Sequence, residues 1–231
     1  MLRSQYEMNQ APAAKVTDQA RSPASHCDGP GRGDFSSCLI HFTKSNDTGS
    51  AYEVLCEIVR QRRLIGAKNC IRGGTPCVCF SEAPTTSLSH GLVNAYGDGR
   101  YSLFGVRFTK EWIFSLGGRP VIYQPECEYQ FLKSEIRWRH MRFEIDCLDR
   151  IDFTSEREWR LPLEELTFSP ADVQLVFPNA GWAARFSKDF SYLSYLEHGE
   201  SGYYEESPWK TIDLGCRLIG QQPPKHSKVG C

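Results

Sequence analysis

One short segment of the chain, from 157 to 161, carries a carboxylate in a pattern suited to chemistry. As a β-strand it places Glu158 and Arg160 on one face and the apolar Trp159 and Leu161 on the other. A carboxylate facing a cleft in this way can stabilise a developing positive charge or accept a proton. Two alternatives stay open, because an exposed strand with a surface ion pair has the same pattern, and Glu156 has the same parity as Glu158.

A second candidate, His41, lies in the apolar run from Cys38 to Phe42, which predicts a strand. An imidazole can hold a sugar hydroxyl or exchange a proton near neutral pH. Thr43 has the same parity as His41, so both side chains are expected on one face of the strand. A hydrogen-bonded core histidine has the same signature, and the pattern alone does not separate the two roles.

A guanidinium and two thiols lie before and within the next predicted strand. Arg72 stands beside Gly73 and Gly74, and an arginine at a flexible turn suits a pyrophosphate, although an exposed loop arginine has the same signature. Cys77 and Cys79 are two residues apart and share a strand face. No second pair follows at ligand spacing, so we expect structural thiols and no metal site.

The composition is that of a globular protein, because 40% of the 231 residues are hydrophobic and 24% are charged. The formal net charge of -1 gives no overall field that would attract nucleic acid. The chain has no apolar run of roughly 18 residues, which a membrane span would need, and its first residues do not form a secretory signal. Ten cysteines in this setting indicate reduced thiols, and we expect a cytoplasmic protein without membrane contact.

A local basic stretch offers a separate binding hypothesis. Between 131 and 142 aromatic and basic residues are interleaved, namely Phe131, Lys133, Arg137, Trp138, Arg139, His140 and Arg142. Phosphate contacts and base stacking would suit a nucleic-acid strand, but an amphipathic helix with an inward tryptophan fits equally well. A metal-dependent nuclease would need clustered carboxylates, and the spacing of Asp146, Asp149 and Asp152 is not diagnostic.

The order of elements predicts an α+β fold built on a split, mostly antiparallel sheet with flanking helices. An amphipathic helix is expected within 50–63, and apolar runs between glycine turns predict strands at 35–43, 76–81, 103–108, 120–123, 143–146, 158–161 and 173–177. The ends, at 1–34 and 220–231, have the composition of flexible tails. Residues 35–219 are therefore expected to form a single domain.

The order of these segments resembles the AbiGi family of bacterial abortive phage-infection proteins over roughly 41–162. The resemblance is carried by Ile40–Thr43, Tyr52–Val59, Leu64–Gly66, Pro76–Pro84, Gly105–Trp112, Arg119–Tyr123 and Arg157–Arg160. The same order is similar, more distantly, to the DarT-type DNA ADP-ribosyltransferases. The counterparts there are His41, the Leu64–Gly66 turn, the segment from Cys77 to Pro84, and Glu158.

These resemblances imply an NAD-dependent ADP-ribosyltransferase in which Glu158 is catalytic and His41 holds the adenosine-side ribose. The further NAD contacts expected are Phe42 and Thr43 after the histidine, Arg72, Ser81, and Phe80 and Tyr96 as candidates for stacking on nicotinamide. The acceptor would be a macromolecule, nucleic acid or protein, in a phage-defence or toxin-type role. The AbiGi resemblance also allows a catalytically inactive, antitoxin-like interaction protein with a cognate partner.

Overall fold

A computed structural model describes residues 35–47, 49–69, 71–85, 87, 102–146, 150–198 and 207–215. The tails expected at 1–34 and 220–231 lie outside these ranges, so they stay predictions. Within the described ranges, no helix is long and apolar enough to cross a membrane.

A seven-stranded sheet forms the centre of the fold. Its strands are β1 (Cys38–Phe42), β3 (Val78–Ser81), β4 (Gly105–Thr109), β5 (Arg119–Pro120), β8 (Glu158–Leu161), β10 (Gln174–Phe177) and β11 (Thr211–Asp213). They lie in the order β11-β10-β4-β1-β3-β8-β5. Every neighbouring pair is antiparallel except β10 with β11. The predicted α+β fold with a mostly antiparallel sheet is therefore confirmed.

Shorter elements surround the sheet. Two small sheets pair β2 (Arg63–Ile65) with β9 (Glu165–Thr167), and β6 (Ile122–Gln124) with β7 (His140–Arg142). The α-helices are α1 (Ala51–Gln61), α2 (Lys110–Ser115) and α3 (Ala180–His198). The 3₁₀ helices are Arg72–Gly74, Glu126–Phe131, Ser134–Arg139 and Thr154–Glu156.

Helix α1 has sequence signals at both ends. Ser50 and Glu53 form a capping box, in which each side chain satisfies a backbone N–H group of the other. The helix ends at Arg62, which takes the left-handed conformation with φ 53°. Between the caps, Leu55 and Val59 are buried against the central sheet, so the helix is anchored next to the end of β1.

The two faces of the central sheet differ in character. One face packs on α1 and α3 and contributes large apolar side chains to the main core, among them Leu39, Phe80, Phe108 and Trp159. The register pairs Ser81 with Glu158 and Cys79 with Arg160, so polar groups occupy the other face. The segment between β5 and β8 covers this second face, with Trp138 buried against Cys77. The sheet thus places a carboxylate and a guanidinium inside the protein.

Two sequence-based expectations are wrong. The strand expected at 143–146 is absent from these described residues, and the pairing strand is β7, just before it. Helices α2 and α3 lie where the sequence analysis assigned no element. Among the described cysteines, Cys56, Cys77, Cys79 and Cys127 are free as expected, whereas Cys38 is disulfide-bonded, contrary to the expectation of reduced thiols throughout.

Replacing Leu55 with alanine is expected to lower the free energy of unfolding by about 2–5 kcal/mol, because the side chain is 0% exposed and its removal leaves a cavity. Urea unfolding followed by circular dichroism measures the change. The matched control is Ile65→Ala, because Ile65 is 58% exposed, and a change within about 0.5 kcal/mol is expected there. Equal losses in the two variants would contradict the core described above.

Candidate active site

A small cavity of about 80 Å³ opens where β1 and β3 part. The two strands pair at the single position Ile40↔Ser81, whereas β1 and β4 pair at all five residues of each strand. The cavity is lined from β1, β3 and the segment before β8 by Ile40, His41, Phe42, Cys79, Phe80, Ser81, Glu156 and Glu158. The structure therefore brings both catalytic candidates, His41 and Glu158, to the wall of one cavity.

His41 reaches across the gap between the two strands. Its Nδ1 lies 2.8 Å from the backbone oxygen of Cys79, and its ring meets that of Phe80 edge-on at 6.1 Å. A carbonyl oxygen only accepts, so Nδ1 carries the proton and Nε2 is left as an acceptor. Burial lowers the pKa of His41 below its ordinary value of 6.5, against the opposing effect of the Cys79 hydrogen bond. The ring is thus neutral at pH 7 and can receive a hydroxyl hydrogen bond.

Glu158 is held by a buried arginine. Arg160 donates from Nε to Oε1 at 2.7 Å and from Nη2 to Oε2 at 3.3 Å. The same guanidinium donates from Nη1 to the carbonyl oxygens of Trp138 at 2.7 Å and His140 at 2.8 Å. Arg160 is 2% exposed and Glu158 is 8% exposed. The carboxylate is therefore fixed in orientation by two charge-assisted hydrogen bonds while it lines the cavity.

Two further side chains lie beside this carboxylate. Burial and the nearby Glu158 carboxylate raise the pKa of the Cys79 thiol, so Cys79 is protonated at neutral pH and is not a nucleophile. The Tyr123 hydroxyl accepts from the Glu158 backbone N–H at 3.2 Å and donates to the Phe153 carbonyl at 3.2 Å. Burial raises the pKa of Tyr123 to about 12. Tyr123 thereby bridges both ends of the turn that precedes β8.

That turn explains how two acidic residues reach the same cavity. Glu156 ends a 3₁₀ helix, and Arg157 takes the left-handed conformation with φ 45° and ψ 51° before the strand begins. The Ser81 hydroxyl donates to the Glu156 carbonyl at 2.6 Å and fixes the turn to β3. Strand alternation, on which the equal parity of Glu156 and Glu158 was based, does not apply across this turn. Both residues nevertheless line the cavity, so the choice between them stays open.

A larger cavity of about 720 Å³ is also lined by His41. It is lined mainly from α1 and β2, by Asn46, Gly49, Glu53, Val54, Glu57, Ile58, Gln61, Arg63, Leu64 and Ile65, together with His41. Arg60 pairs with Glu57, and the capping box holds Glu53, so both carboxylates already have hydrogen-bond partners. His41 is shared by both cavities.

The strand register also governs how His41 and Glu158 face each other. Ile40, Ser81 and Glu158 are consecutive cross-strand neighbours and therefore share one face of the sheet. His41 follows Ile40 and so leaves β1 towards the opposite face. The two side chains leave their strands towards opposite faces, and both residues line the small cavity at the gap between β1 and β3.

The remaining predicted NAD contacts have different surroundings. The Thr43 hydroxyl donates to the Ala51 carbonyl at 2.8 Å and is buried. Arg72 pairs with Glu126, lies over the ring of Tyr129, and is outside the lining of both cavities. Tyr96 lies outside the described residues. Phe42, Phe80 and Ser81 line the small cavity, as described above.

The basic stretch that suggested nucleic acid does not form one surface. Trp138 lies in a 3₁₀ helix and is buried, which matches the alternative of an inward tryptophan. His140 is also buried, Arg142 pairs with Glu144, and Phe131 is exposed.

Sequence reasoning missed two positioning groups, Tyr123 and the backbone carbonyls that bind Arg160. Comparisons of the chain with models of known protein families, with curated proteins and with solved structures found no match in any of the three.

Replacing Arg160 with methionine is expected to lower the free energy of unfolding by about 3–5 kcal/mol, because the buried Glu158 carboxylate loses its partner. Chemical denaturation measures the change. Arg63→Met is the matched control, since Arg63 and Glu165 form an exposed pair and a loss of about 0–1 kcal/mol is expected. A loss below 1 kcal/mol in Arg160→Met would mean that the buried pair is not formed in solution.

His41 is expected to make the protein less stable in mild acid. Its folded pKa is lowered, so below pH 6.5 the unfolded chain binds more protons, and stability falls as pH drops from 6.5 towards the folded pKa. The slope due to one such group is at most about 1.4 kcal/mol per pH unit. Unfolding free energies of wild type and His41→Gln, measured from pH 5 to pH 8, should diverge below pH 6.5. Parallel curves would contradict a neutral His41 in the folded protein.

Proposed function

We propose that the chain is an NAD-dependent ADP-ribosyltransferase with its reacting centre between His41 and Glu158. The observation that carries this proposal is the position of His41, which lines both a cavity of about 720 Å³ and the small cavity that contains Glu158. A dinucleotide has two halves, and a residue between two adjoining cavities can contact the sugar of one half while the other half reaches the carboxylate.

The dimensions of the cavities favour this assignment of the two halves of NAD. The larger cavity falls within the range of about 300–1,000 Å³ that is typical of ligand sites, and it suits the adenosine side. In this cavity, the carboxylates of Glu53 and Glu57 are the proposed acceptors for ribose hydroxyls. Arg63 is the arginine in the lining and the proposed contact for a phosphate. In the proposal, nicotinamide and its ribose enter the gap beside the single residue pair of β1 and β3.

The reaction requires little covalent work from the protein. The bond between the ribose C1′ and the nicotinamide nitrogen breaks, and the electron pair leaves with nicotinamide. An acceptor nucleophile then forms a bond to C1′ and gives up its proton. In the proposal Glu158 stabilises the positively charged ribose, holds its 2′-hydroxyl, and takes that proton. His41 accepts a hydrogen bond at Nε2 from the adenosine-side ribose.

The neighbouring groups supply preorganisation in this mechanism. Arg160 fixes both oxygens of Glu158, and Tyr123 fixes its backbone, so the carboxylate needs little reorientation when charge develops. Thr43 has the role of holding the end of β1 to α1 through the Ala51 carbonyl. Arg72 is replaced by Arg63 as the candidate phosphate contact. The acceptor is proposed to be a macromolecule, nucleic acid or protein, in a phage-defence setting.

One observation favours a second function, that of a catalytically inactive, antitoxin-like interaction protein. The cavity beside Glu158 holds about 80 Å³, which is below the usual range for a ligand site, and Arg160 already occupies the carboxylate. An enzyme-like fold with such a closed centre can be retained for binding a cognate partner alone. The assay below separates the two functions.

The decisive measurement is release of nicotinamide from NAD by the purified chain with cell lysate. Wild type is expected to release nicotinamide and label an acceptor, and Glu158→Gln is expected to be slower by about 100-fold or more. Glu156→Gln distinguishes the two acidic residues of the cavity, and Glu111→Gln is the surface control, since Glu111 is exposed and lies outside the lining of both cavities. Circular dichroism confirms that each variant is folded.

Two outcomes would count against the enzyme. If wild type and Glu158→Gln release nicotinamide equally, Glu158 has no part in the mechanism. If folded wild type releases none while it still rescues cells from the product of a neighbouring gene, the interaction protein is the correct function.

A further inference from the structure

Two arginines meet at the edge strand β5, Arg119 within the strand and Arg139 at the end of the 3₁₀ helix Ser134–Arg139. Arg119 donates from Nη1 to the carbonyl oxygens of Phe114 at 2.8 Å and Gly118 at 2.6 Å. Arg139 donates from Nε to the carbonyl oxygen of Pro120 at 3.0 Å. These acceptors are neutral, and within the described part of the chain neither arginine forms an ion pair. Both guanidiniums are therefore positioned by backbone groups, and their charges are not neutralised.

The two charges also act on each other. Arg119 donates to the Gly118 carbonyl and Arg139 to the Pro120 carbonyl, so both guanidiniums lie at the same short stretch of backbone. Burial lowers the pKa of Arg139, and the positive charge of Arg119 lowers it further. The guanidinium of Arg119 is stacked on Phe114 at 3.8 Å from the ring centre, and that ring is half exposed. Two like charges at this half-exposed edge repel each other, and a bound anion would relieve the repulsion.

The neighbouring cations do not extend this pair into a longer basic track. Arg72 is paired with Glu126, and Arg142 is paired with Glu144. Arg137 lies over the ring of Tyr129 at 5.2 Å and donates to the Leu132 carbonyl. A polyanion would need a series of unneutralised cations along its path, whereas Arg72 and Arg142 are each neutralised by a carboxylate.

We propose that Arg119 and Arg139 form a binding site for a single phosphate monoester dianion. Nη1 and Nη2 of Arg139, and Nε and Nη2 of Arg119, remain as donors, and the planar guanidinium fork matches phosphate oxygens. A charge of -2 on the ligand balances the two guanidiniums. Neither arginine lines the His41 and Glu158 cavities, so this site does not rest on the proposed function.

The first test uses the wild-type chain and isothermal titration calorimetry at constant ionic strength. Phenyl phosphate is the monoester probe, inorganic phosphate tests whether the ester group is needed, and dimethyl phosphate is the monoanionic control. Phosphate monoesters lose their second proton at about pH 6, so the affinity for phenyl phosphate should rise about tenfold from pH 5 to pH 7. Sulfate remains a dianion at both pH values, and its affinity should change less than about twofold.

The second test uses variants. Arg119→Gln and Arg139→Gln should each weaken phenyl phosphate binding by about tenfold or more, because each removes a charge-assisted contact. The matched control Arg142→Gln removes a cation that Glu144 already neutralises, and binding should be unchanged. Arg119→Lys keeps the charge without the fork and should lie between wild type and Arg119→Gln.

Three results would overturn the proposal. Wild type that binds phenyl phosphate no better than chloride has no such site. Equal binding by wild type and both glutamine variants places the ligand elsewhere. Tighter binding of a single-stranded oligonucleotide, with a salt dependence that corresponds to more than two released ions, means that the arginines belong to a nucleic-acid surface instead.

Discussion

The structure depends on the burial of one ion pair, between Glu158 and Arg160. Each charge would be costly inside the protein if it were alone, because a desolvated ion must recover its lost hydration from neighbouring groups. Arg160 replaces its lost hydration by hydrogen bonds to both oxygens of the Glu158 carboxylate and to the carbonyl oxygens of Trp138 and His140. The pair therefore attaches the covering segment to the central sheet.

The same pair connects stability with the proposed chemistry. A carboxylate that lines a cavity needs a partner in place of water. In this protein that partner is Arg160, which is itself buried. Tyr123 and Ser81 fix the adjoining turn by hydrogen bonds to its backbone, and Arg157 accepts an unfavourable left-handed conformation within it. The turn is thus determined by its contacts more than by its own sequence, as is common where a chain positions a functional group.

The sequence predicts the parts of the fold that are encoded locally. Helix α1 has a capping box and an apolar stripe, and the strands around Val78, Val106 and Val176 are short apolar runs, so their positions follow from periodicity alone. Helix α3 mixes aromatic, serine and charged residues without a single apolar stripe, and it becomes a helix by packing Phe186 into the core. The pairing of β10 with β11 is likewise set by contacts remote in sequence.

The candidate site also combines features that are encoded locally with features that depend on contacts remote in sequence. Glu158, Arg160 and His41 could be selected as chemically capable residues, and the resemblance to known families supplied the idea that they act together. Two features had no signature: the left-handed Arg157, which decides where both carboxylates go, and the acceptors of Arg160, which are backbone carbonyls 20 and 22 residues away. Every residue type has a backbone carbonyl oxygen, so no pattern of side chains could predict that contact.

The single residue pair between β1 and β3 affects how well the middle of the sheet protects its amide hydrogens from exchange. Central strands normally exchange their amide hydrogens slowest, because neighbours on both sides protect them. Here the backbone ladder between the half of the sheet formed by β11, β10, β4 and β1 and the half formed by β3, β8 and β5 has one residue pair. The imidazole of His41 and the packing of Phe80 on Phe108 supply further contacts between the halves. The amides in the middle of this sheet are therefore expected to exchange faster than those in the ladders on either side.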